Sequence, residues 1–510
     1  MALHALRLIH AGPLWRDEAA VAGLASLPVR DILTWFPHEA FPPLFHLIVK
    51  TWAACFGGAD RTFRLFGLLA GLALLAQIWW TTRRTLGTVP LLALALVAIS
   101  PSFLLFGDSL RGYGLGSVAI LAAFGAFARL ALRPDRRALA GAAAAALLSV
   151  HLLLHNSPLL LALGLAAIGV GILRRRPRVI AAVAGIGAVT ALSLLPYAGP
   201  IRAMRSWSVL VQVPVGPREI LAEMARTASA PVDTLRWVWL LLLVLALVGA
   251  ALALKRDAPG EEEATQPDLR LYSLLALPLA ILAQWIFLAT AGYTPRPWYF
   301  LPLLALAAVC LDGLLTASPL LRGTRLGAAL LASLTLALPA LAFTRERMSN
   351  MDLVADRIAA EAKPGDLVIV LPWYYGISYH RQDRGKAPWM TVPDLADHRM
   401  HRYDLVKARM EEPEPLRDVA EALERTLRSG HRVWVAGRVD FPPPGAQPLD
   451  LPPAPQSRAG WLEFAYVQVW SQQIGAFLRD HATHGGRAPI PSGPVSGFER
   501  LDLLVFSGWR

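Results

Sequence analysis

Long apolar segments recur along the chain between residues 64 and 344, separated by short polar stretches. A hydrocarbon core about 30 Å thick requires roughly 20 apolar residues in a helix. The pattern therefore predicts a polytopic α-helical membrane protein with about ten transmembrane helices. The predicted spans are residues 64–82, 88–106, 114–131, 138–155, 158–173, 179–197, 237–254, 271–291, 298–315 and 326–343.

The loops between these spans alternate in charge. One set of five loops holds 15 Lys and Arg residues, whereas the opposite set holds seven although it contains the longest loop. Because basic loops stay in the cytoplasm, the first set is predicted to be cytoplasmic. The basic set comprises residues 83–84, 129–137, 174–178, 255–270 and 322–325.

Both ends of the chain are then expected outside the cytoplasm. Residues 1–63 are interpreted as a first extracytoplasmic loop with short interfacial helices, because residues 13–60 are amphipathic and contain prolines. Residues 1–11 are too short to span a membrane and lack the layout of a signal peptide. We expect a first span to precede them, missing because the sequence starts late or is truncated.

Residues 345–510 change composition sharply and predict a small C-terminal extracytoplasmic α/β domain. Helices are predicted over 352–362, 416–427 and 461–478, and strands over 367–371, 433–436 and 501–506. A proline-rich stretch at 440–458 predicts a loop. The multi-span domain between the two outer parts is assigned to residues 64–344.

Composition and charge agree with this division. The chain is 55% hydrophobic and 17% charged, against about 25% charged residues in an ordinary soluble protein. The net charge of +12 lies entirely before residue 345, because residues 345–510 carry 21 basic and 21 acidic side chains. The surplus therefore marks membrane topology and does not indicate a nucleic-acid partner. Two cysteines exclude a disulfide framework.

Asp17 and Glu18 form an acidic pair in the first outer loop. A carboxylate beside a lipid-facing cavity would be desolvated, which raises its pKa and suits it to act as a base. A helix N-terminal carboxylate that complements the helix dipole explains the pair equally well.

His38 and Glu39 precede two prolines that define a helix entrance. They could bind substrate or a metal ion, but two residues are too few for a convincing metal site, so a structural role is favoured.

Two short outer loops each carry an isolated arginine. Arg111, with Asp108 and Tyr113, suits a phosphate at headgroup level because its guanidinium forms a two-pronged donor. An Arg111–Asp108 ion pair, or an anchor that reaches the interface, is the alternative. Arg296 is the only charge between its two spans, and the nearby Tyr299 fits an interfacial aromatic anchor.

An acidic pair and two arginines at one membrane surface are typical of group transfer from a phospholipid-like donor. No glycine-rich nucleotide loop follows a strand, so a nucleotide donor is not indicated. A lipid or glycan transporter without transferase activity is the main alternative, but the charges lie at one face and no repeated halves are evident. A scaffold with a partner-binding tail would leave the charged cluster without a purpose.

The order of these features resembles the glycosyltransferase-C superfamily, in its branch of bacterial protein-mannosyltransferase-like and aminoarabinose-transferase-like enzymes (glycosyltransferase family 39-like). The resemblance covers most of residues 13–315. It is carried by the early Asp-Glu pair, the prolines at 42–43, and the segments 64–69, 111–115 and 296–302.

The resemblance implies an inner-membrane enzyme that moves a sugar from a polyprenyl-phosphate donor to a protein, lipid or polysaccharide acceptor outside the cytoplasm. It implies that Asp17 is the catalytic base with Glu18 as its neighbour, and that Arg111 and Tyr113 lie near the lipid phosphate. The late Arg-Tyr element corresponds to Arg296 and Tyr299, here separated by two residues. The resemblance implies no metal and no cofactor.

Overall fold

The computed structural model is a helical bundle with a C-terminal sheet domain, and it describes residues 1–510 apart from 40, 214, 257–264, 317–318, 386, 444, 452 and 455–462. The first part contains helices α1 (Ala2–His10), α2 (Arg16–Ser26), α3 (Val29–Trp35), α4 (Pro43–Phe56), α5 (Asp60–Thr81), α6 (Leu91–Val97), α7 (Gly112–Leu132) and α8 (Arg136–Leu152). It continues with α9 (Ser157–Leu173), α10 (Pro177–Ser193), α11 (Ala198–Met204), α12 (Pro217–Ser229), α13 (Leu235–Arg256), α14 (Thr265–Ala291), α15 (Leu301–Leu314) and α16 (Pro319–Thr344).

Eight helices in the described ranges are long and apolar enough to cross a membrane. They correspond to eight of the ten predicted segments, and the chain is a multi-pass membrane protein. The segment 88–106 is interrupted, because the chain leaves α6 and starts a new helical turn at Pro101, a residue that cannot continue a helix. The segment 138–155 forms α8, which ends at Leu152 after 17 residues.

The centre of the bundle is α15, and 83% of its most apolar stretch is buried. Helices α7, α6, α14 and α13 surround it. By contrast, α13 buries only 17% of its corresponding stretch, so most of its surface is left for lipid. Arg64 near the start of α5 and the backbone N–H of Leu110 just before α7 both donate to Glu18, so the two helices begin at the same end of the bundle.

The C-terminal domain is a five-stranded sheet between two layers of helices. Its helices are α17 (Met351–Glu361), α18 (Tyr375–Gln382), α19 (Tyr403–Glu411), α20 (Arg417–Arg428) and α21 (Glu463–His481). Its strands are β1 (Leu367–Leu371), β2 (Trp389–Thr391), β3 (Val433–Gly437), β4 (Ala482–Arg487) and β5 (Asp502–Trp509). The strand order is β2-β1-β3-β5-β4, with β1 parallel to β2 and β3, and β5 antiparallel to β3 and β4.

The apolar run of β1 is explained by burial on both faces of the sheet. Leu367, Ile369 and Leu371 contact the layer formed by α19, α20 and α21. Val368 and Val370 point the other way and pack against α17 and α18. The predicted polytopic helical fold with a small C-terminal α/β domain is confirmed. Strands β2 and β4 were not predicted, because β2 has only three residues and β4 contains two adjacent glycines.

The two parts are joined by direct polar contacts at one end of the bundle. Asp60, the first residue of α5, accepts hydrogen bonds from Arg381 Nε at 2.5 Å and Gln382 Nε2 at 2.8 Å, both at the end of α18. The same carboxylate accepts a bond from the backbone N–H of Leu14 at 3.0 Å. The start of α5, the segment before α2 and the C-terminal domain are therefore held together.

Candidate active site

The Asp17 carboxylate lies in the first turn of α2, where the bundle meets the C-terminal domain, and its side chain is only 13% exposed. Arg111 Nη1 is 3.2 Å from Oδ2, and Arg16 Nε is 3.4 Å from Oδ1. Arg111 also donates to the backbone oxygen of Asp17 at 3.1 Å. Arg111 was predicted to bind phosphate, and the structure brings it directly to the predicted base.

The expectation that desolvation would raise the pKa of Asp17 is wrong. Burial acts in that direction, but it is outweighed by the nearby basic side chains of Arg111, Arg16, His401 and Arg296, with Arg111 acting most strongly. The pKa of the Asp17 carboxyl is therefore lowered below its usual range. In this arrangement Asp17 is ionised at neutral pH and paired with an arginine.

Arg111 is held between two carboxylates and two aromatic rings. Besides Asp17, it lies 4.0 Å from Glu39 Oε2, and its guanidinium carbon is 4.8 Å from the ring centre of Phe41 and 5.8 Å from that of Tyr113. Burial lowers its pKa, but Asp17, Tyr113 and Glu39 together raise it above the ordinary value. The guanidinium therefore stays charged and is held beside Asp17.

Glu18 points away from this cluster, although it is adjacent to Asp17 in sequence. It is fully buried, and its Oε1 accepts hydrogen bonds from Arg64 Nη1 at 2.6 Å and from the backbone N–H of Leu110 at 2.9 Å. Consecutive helical residues project about 100° apart, so the two carboxylates of the pair face different surroundings. Glu18 ties the loop that carries Arg111 to α2 and α5.

Replacing Glu18 by alanine is expected to destabilise the fold by about 3–5 kcal/mol, because it leaves the buried Arg64 guanidinium without its carboxylate. Thermal unfolding of the purified protein in detergent measures the effect. Glu18→Gln is the matched control, because its amide oxygen still accepts both bonds and should lower the melting temperature less. An unchanged melting temperature in the alanine variant would contradict this structural role.

Asp108 also lies away from Asp17. Its Oδ2 is 2.7 Å from Nδ1 of His4 in α1, and a Cβ atom on Gly71 of α5 would lie 1.9 Å from its Oδ1. The alternative of an Arg111–Asp108 ion pair is not what the structure shows, since Asp108 pairs with His4 and Arg111 with Asp17.

His38 contacts the C-terminal domain instead of Asp17. Its Nδ1 donates to the backbone oxygen of His401 at 2.9 Å, and its ring stacks on Trp207 at 4.8 Å. Trp207 in turn stacks on Tyr403 at 5.6 Å. Burial lowers the pKa of His38, which keeps it neutral. The residue therefore docks the loop around residue 401 against the bundle.

An aromatic wall lies beside Arg111. The Tyr113 ring centre is 6.3 Å from that of Tyr299, and Tyr299 stacks on His155 at 4.8 Å. Arg296 is exposed but close enough to lower the pKa of Asp17. The two residues between Arg296 and Tyr299 therefore do not prevent both from flanking the site.

The C-terminal domain contributes residues that sequence reasoning missed. Glu499 is fully buried and accepts bonds from the backbone N–H of Arg16 and from Ser349 Oγ, both at 2.6 Å. Burial raises the pKa of Glu499 to about 7. The guanidinium of Arg16 lies 4.5 Å from the ring centre of Tyr374. The domain therefore closes over Arg16, and it also places His401 beside Asp17.

Among the described residues, no group of three or more His, Cys, Asp or Glu side chains is arranged to hold a metal ion. The charged centre consists instead of carboxylates paired with arginines and one histidine. Such a centre can activate a hydroxyl with a carboxylate and neutralise a departing phosphate with guanidinium groups.

The architecture matches that of solved membrane glycosyltransferases. The chain superposes on the crystal structure of ArnT from Cupriavidus metallidurans bound to undecaprenyl phosphate with a TM-score of 0.51 and 12% identity, covering 85% of this chain and 92% of that one. The apo structure of the same protein gives a TM-score of 0.50 at 12% identity, with 85% and 90% covered. The chain therefore shares the fold of ArnT, in agreement with the fold that the sequence resemblance implied.

The archaeal oligosaccharyltransferase AglB from Archaeoglobus fulgidus, in complex with an inhibitory peptide and a dolichol-phosphate, gives a TM-score of 0.47 at 12% identity, with 85% of this chain and 69% of that one covered. No protein-family model matches the chain, and no curated protein sequence does so either.

Proposed function

We propose that the protein is an integral membrane glycosyltransferase that moves a sugar from a polyprenyl-phosphate donor to an acceptor on the extracytoplasmic side. Asp17 acts as the base that deprotonates the acceptor. Arg111 binds the donor phosphate and neutralises the negative charge that the phosphate gains as its bond to the sugar breaks. The acceptor attacks the sugar directly, so the reaction inverts the configuration of the anomeric carbon.

The observation that carries this proposal is the 3.2 Å contact between Asp17 and Arg111. A bound phosphate would compete with Asp17 for the Arg111 guanidinium, because two phosphate oxygens can accept two parallel hydrogen bonds from it. Asp17 would then lose its strongest cationic partner, and the pKa of its carboxyl would rise. The donor itself would thus convert a weakly basic carboxylate into a stronger base.

The location of the site supports the assignment to the outer surface. Arg111 precedes the first turn of α7, whereas Arg129 and Arg133 lie at the other end of the same helix, within a basic loop. Because basic loops mark the cytoplasmic side, the site and the C-terminal domain would face away from the cytoplasm. The location that we propose in a bacterial cell is the inner membrane.

The donor class is supported by the fold and by the neighbours of Arg111. ArnT, which shares the fold, was crystallised with undecaprenyl phosphate. In this chain Arg111 stands at the start of a membrane-spanning helix, beside Tyr113 and the aromatic wall. A phosphate at that level would keep its prenyl chain in the bilayer.

The proposal is tested by incubating the purified protein with undecaprenyl-phosphate-linked sugars and a panel of protein, lipid and polysaccharide acceptors. Release of undecaprenyl phosphate, coupled to sugar on an acceptor, is the expected result. Glu18→Gln serves as a control preparation, since it changes a carboxylate outside the charged cluster. Absence of release with every donor and acceptor would count against glycosyl transfer.

A further inference from the structure

His401 is a residue of the C-terminal domain whose imidazole enters the Asp17 site. It lies between β2 and α19 and is 8% exposed. Its Nδ1 is 2.9 Å from Glu39 Oε1, and its Nε2 is 3.6 Å from Asp17 Oδ1. The imidazole therefore bridges two carboxylates that both belong to the first 63 residues.

The position of this residue is fixed by its backbone. The N–H of His401 donates to Glu39 Oε1 at 3.1 Å, and its carbonyl oxygen accepts the bond from His38. The preceding turn lies directly against α2, where a Cβ atom on Gly23 would be 1.9 Å from the Arg399 carbonyl oxygen. Since these contacts do not involve the imidazole, the ring is not needed to dock the loop.

The hydrogen bonds determine which nitrogen of the ring carries the proton. The Glu39 carboxylate only accepts, so Nδ1 donates to it. In the neutral ring Nε2 then holds a lone pair, and this lone pair is on the side of Asp17. The imidazole of His401 thus lies between the carboxylates of Glu39 and Asp17.

We propose that His401, oriented by Glu39, receives the proton that Asp17 takes from the acceptor. This inference rests on the proposed glycosyl transfer to a hydroxyl acceptor. The acceptor O–H bond breaks as its oxygen bonds to the sugar, and the electron pair of the sugar–oxygen bond leaves with the phosphate. The proton passes from Asp17 to Nε2 of His401, and then to water.

The surroundings favour this direction of transfer. When Arg111 binds the donor phosphate, Arg16 still lies 3.4 Å from Asp17 and disfavours a proton on that carboxylate, whereas the free lone pair of His401 Nε2 can accept the proton.

The groups that face His401 come from several elements. The carboxylates of Asp17 and Glu39 lie against its two nitrogens, and Glu463 of α21 acts on it electrostatically. Tyr403 stacks on the ring at 5.9 Å. With three carboxylates around it, the imidazolium formed by the transfer would be stabilised, and Arg111 and Arg16 would partly offset that effect.

Two substitutions distinguish a role of His401 in proton transfer from a merely structural role. His401→Asn places an amide N–H near Nδ1 and can keep the bond to Glu39, but it removes the proton acceptor. His401→Gln reaches toward Asp17 with a group that does not titrate. His398→Gln is the matched control, because His398 lies in the same loop but its ring packs against Trp389, with ring centres 4.6 Å apart, and not against Asp17.

Both His401 variants should lower kcat by about 10²-fold, as expected for loss of a group that moves a proton. KM for the undecaprenyl-phosphate-linked sugar should stay within about twofold, because donor binding is not affected. Because the reaction moves a proton from Asp17 to His401, wild-type kcat should be lower in D₂O than in H₂O. This solvent isotope effect should change in both His401 variants and remain in His398→Gln.

A kcat of His401→Asn equal to that of the wild type would overturn the proposal. It would show that turnover needs only the hydrogen bond to Glu39 and no proton acceptor at position 401. An unchanged solvent isotope effect together with a lowered melting temperature would also overturn it, by showing a structural role only. Both outcomes presuppose wild-type turnover. A wild type that releases no undecaprenyl phosphate refutes the proposed function instead, so the two failures are distinguishable.

Discussion

Asp17→Asn is expected to lower the rate of sugar transfer by roughly 10²–10⁴-fold, the range typical of a lost general base. The amide has the shape of the carboxylate but cannot take a proton. The protein should still fold, since Arg111 keeps its bond to the backbone oxygen of residue 17 and its contact with Glu39. Release of undecaprenyl phosphate and thermal unfolding measure the two effects separately.

Asp31→Asn is the control for this variant. Asp31 lies in α3, its side chain is 35% exposed, and it pairs only loosely with Arg30 at 3.6 Å. The same chemical change there should leave turnover unaltered. Normal turnover by Asp17→Asn would refute Asp17 as the base, whatever the outcome at Asp31.

Arg111→Gln is expected to reduce turnover by about 10²–10³-fold, comparable to the removal of a donor that stabilises developing charge. The variant should also shift the pH dependence. Among the charged groups around Asp17, Arg111 lowers the pKa of its carboxyl most. Loss of the Arg111 guanidinium therefore raises that pKa. Because Asp17 must be ionised to act as a base, the remaining activity should disappear at a higher pH as the solution is acidified.

Arg129→Gln provides the comparison, because Arg129 lies at the opposite end of α7 with 61% of its side chain exposed. It should change neither kcat nor the pH profile. An Arg111→Gln enzyme with an unaltered KM for the donor and an unaltered pH profile would contradict both roles assigned to the guanidinium.

The chain's charge pattern was sufficient to single out Asp17 and Arg111, which the structure brings together. Both are charges at the ends of a largely apolar region, and such charges are functional candidates by default. The spans could likewise be predicted from length and apolarity. The interruption near Pro101 was missed because apolar composition continues across it, although the backbone cannot.

The remaining site residues depend on contacts that local sequence does not encode. Glu18 is adjacent to the base, yet the turn of α2 directs it to Arg64. His401 reaches Asp17 across 384 residues, which requires the docking of the C-terminal domain on the bundle. Short-range patterns describe elements and not the docking of two domains, so neither His401 nor Glu499 could be predicted.

The participation of Glu499 and the neighbouring Phe498 has a consequence for the order in which the protein matures. Trp15 packs against Phe498 with ring centres 5.6 Å apart, and the backbone of Arg16 bonds to Glu499. The two residues that precede Asp17 therefore lack these partners until a part of the chain more than 480 positions later has been made. A ribosome-bound chain whose spans are already inserted would carry an unfinished centre, so lipid-linked sugar would not be consumed until translation had passed residue 499.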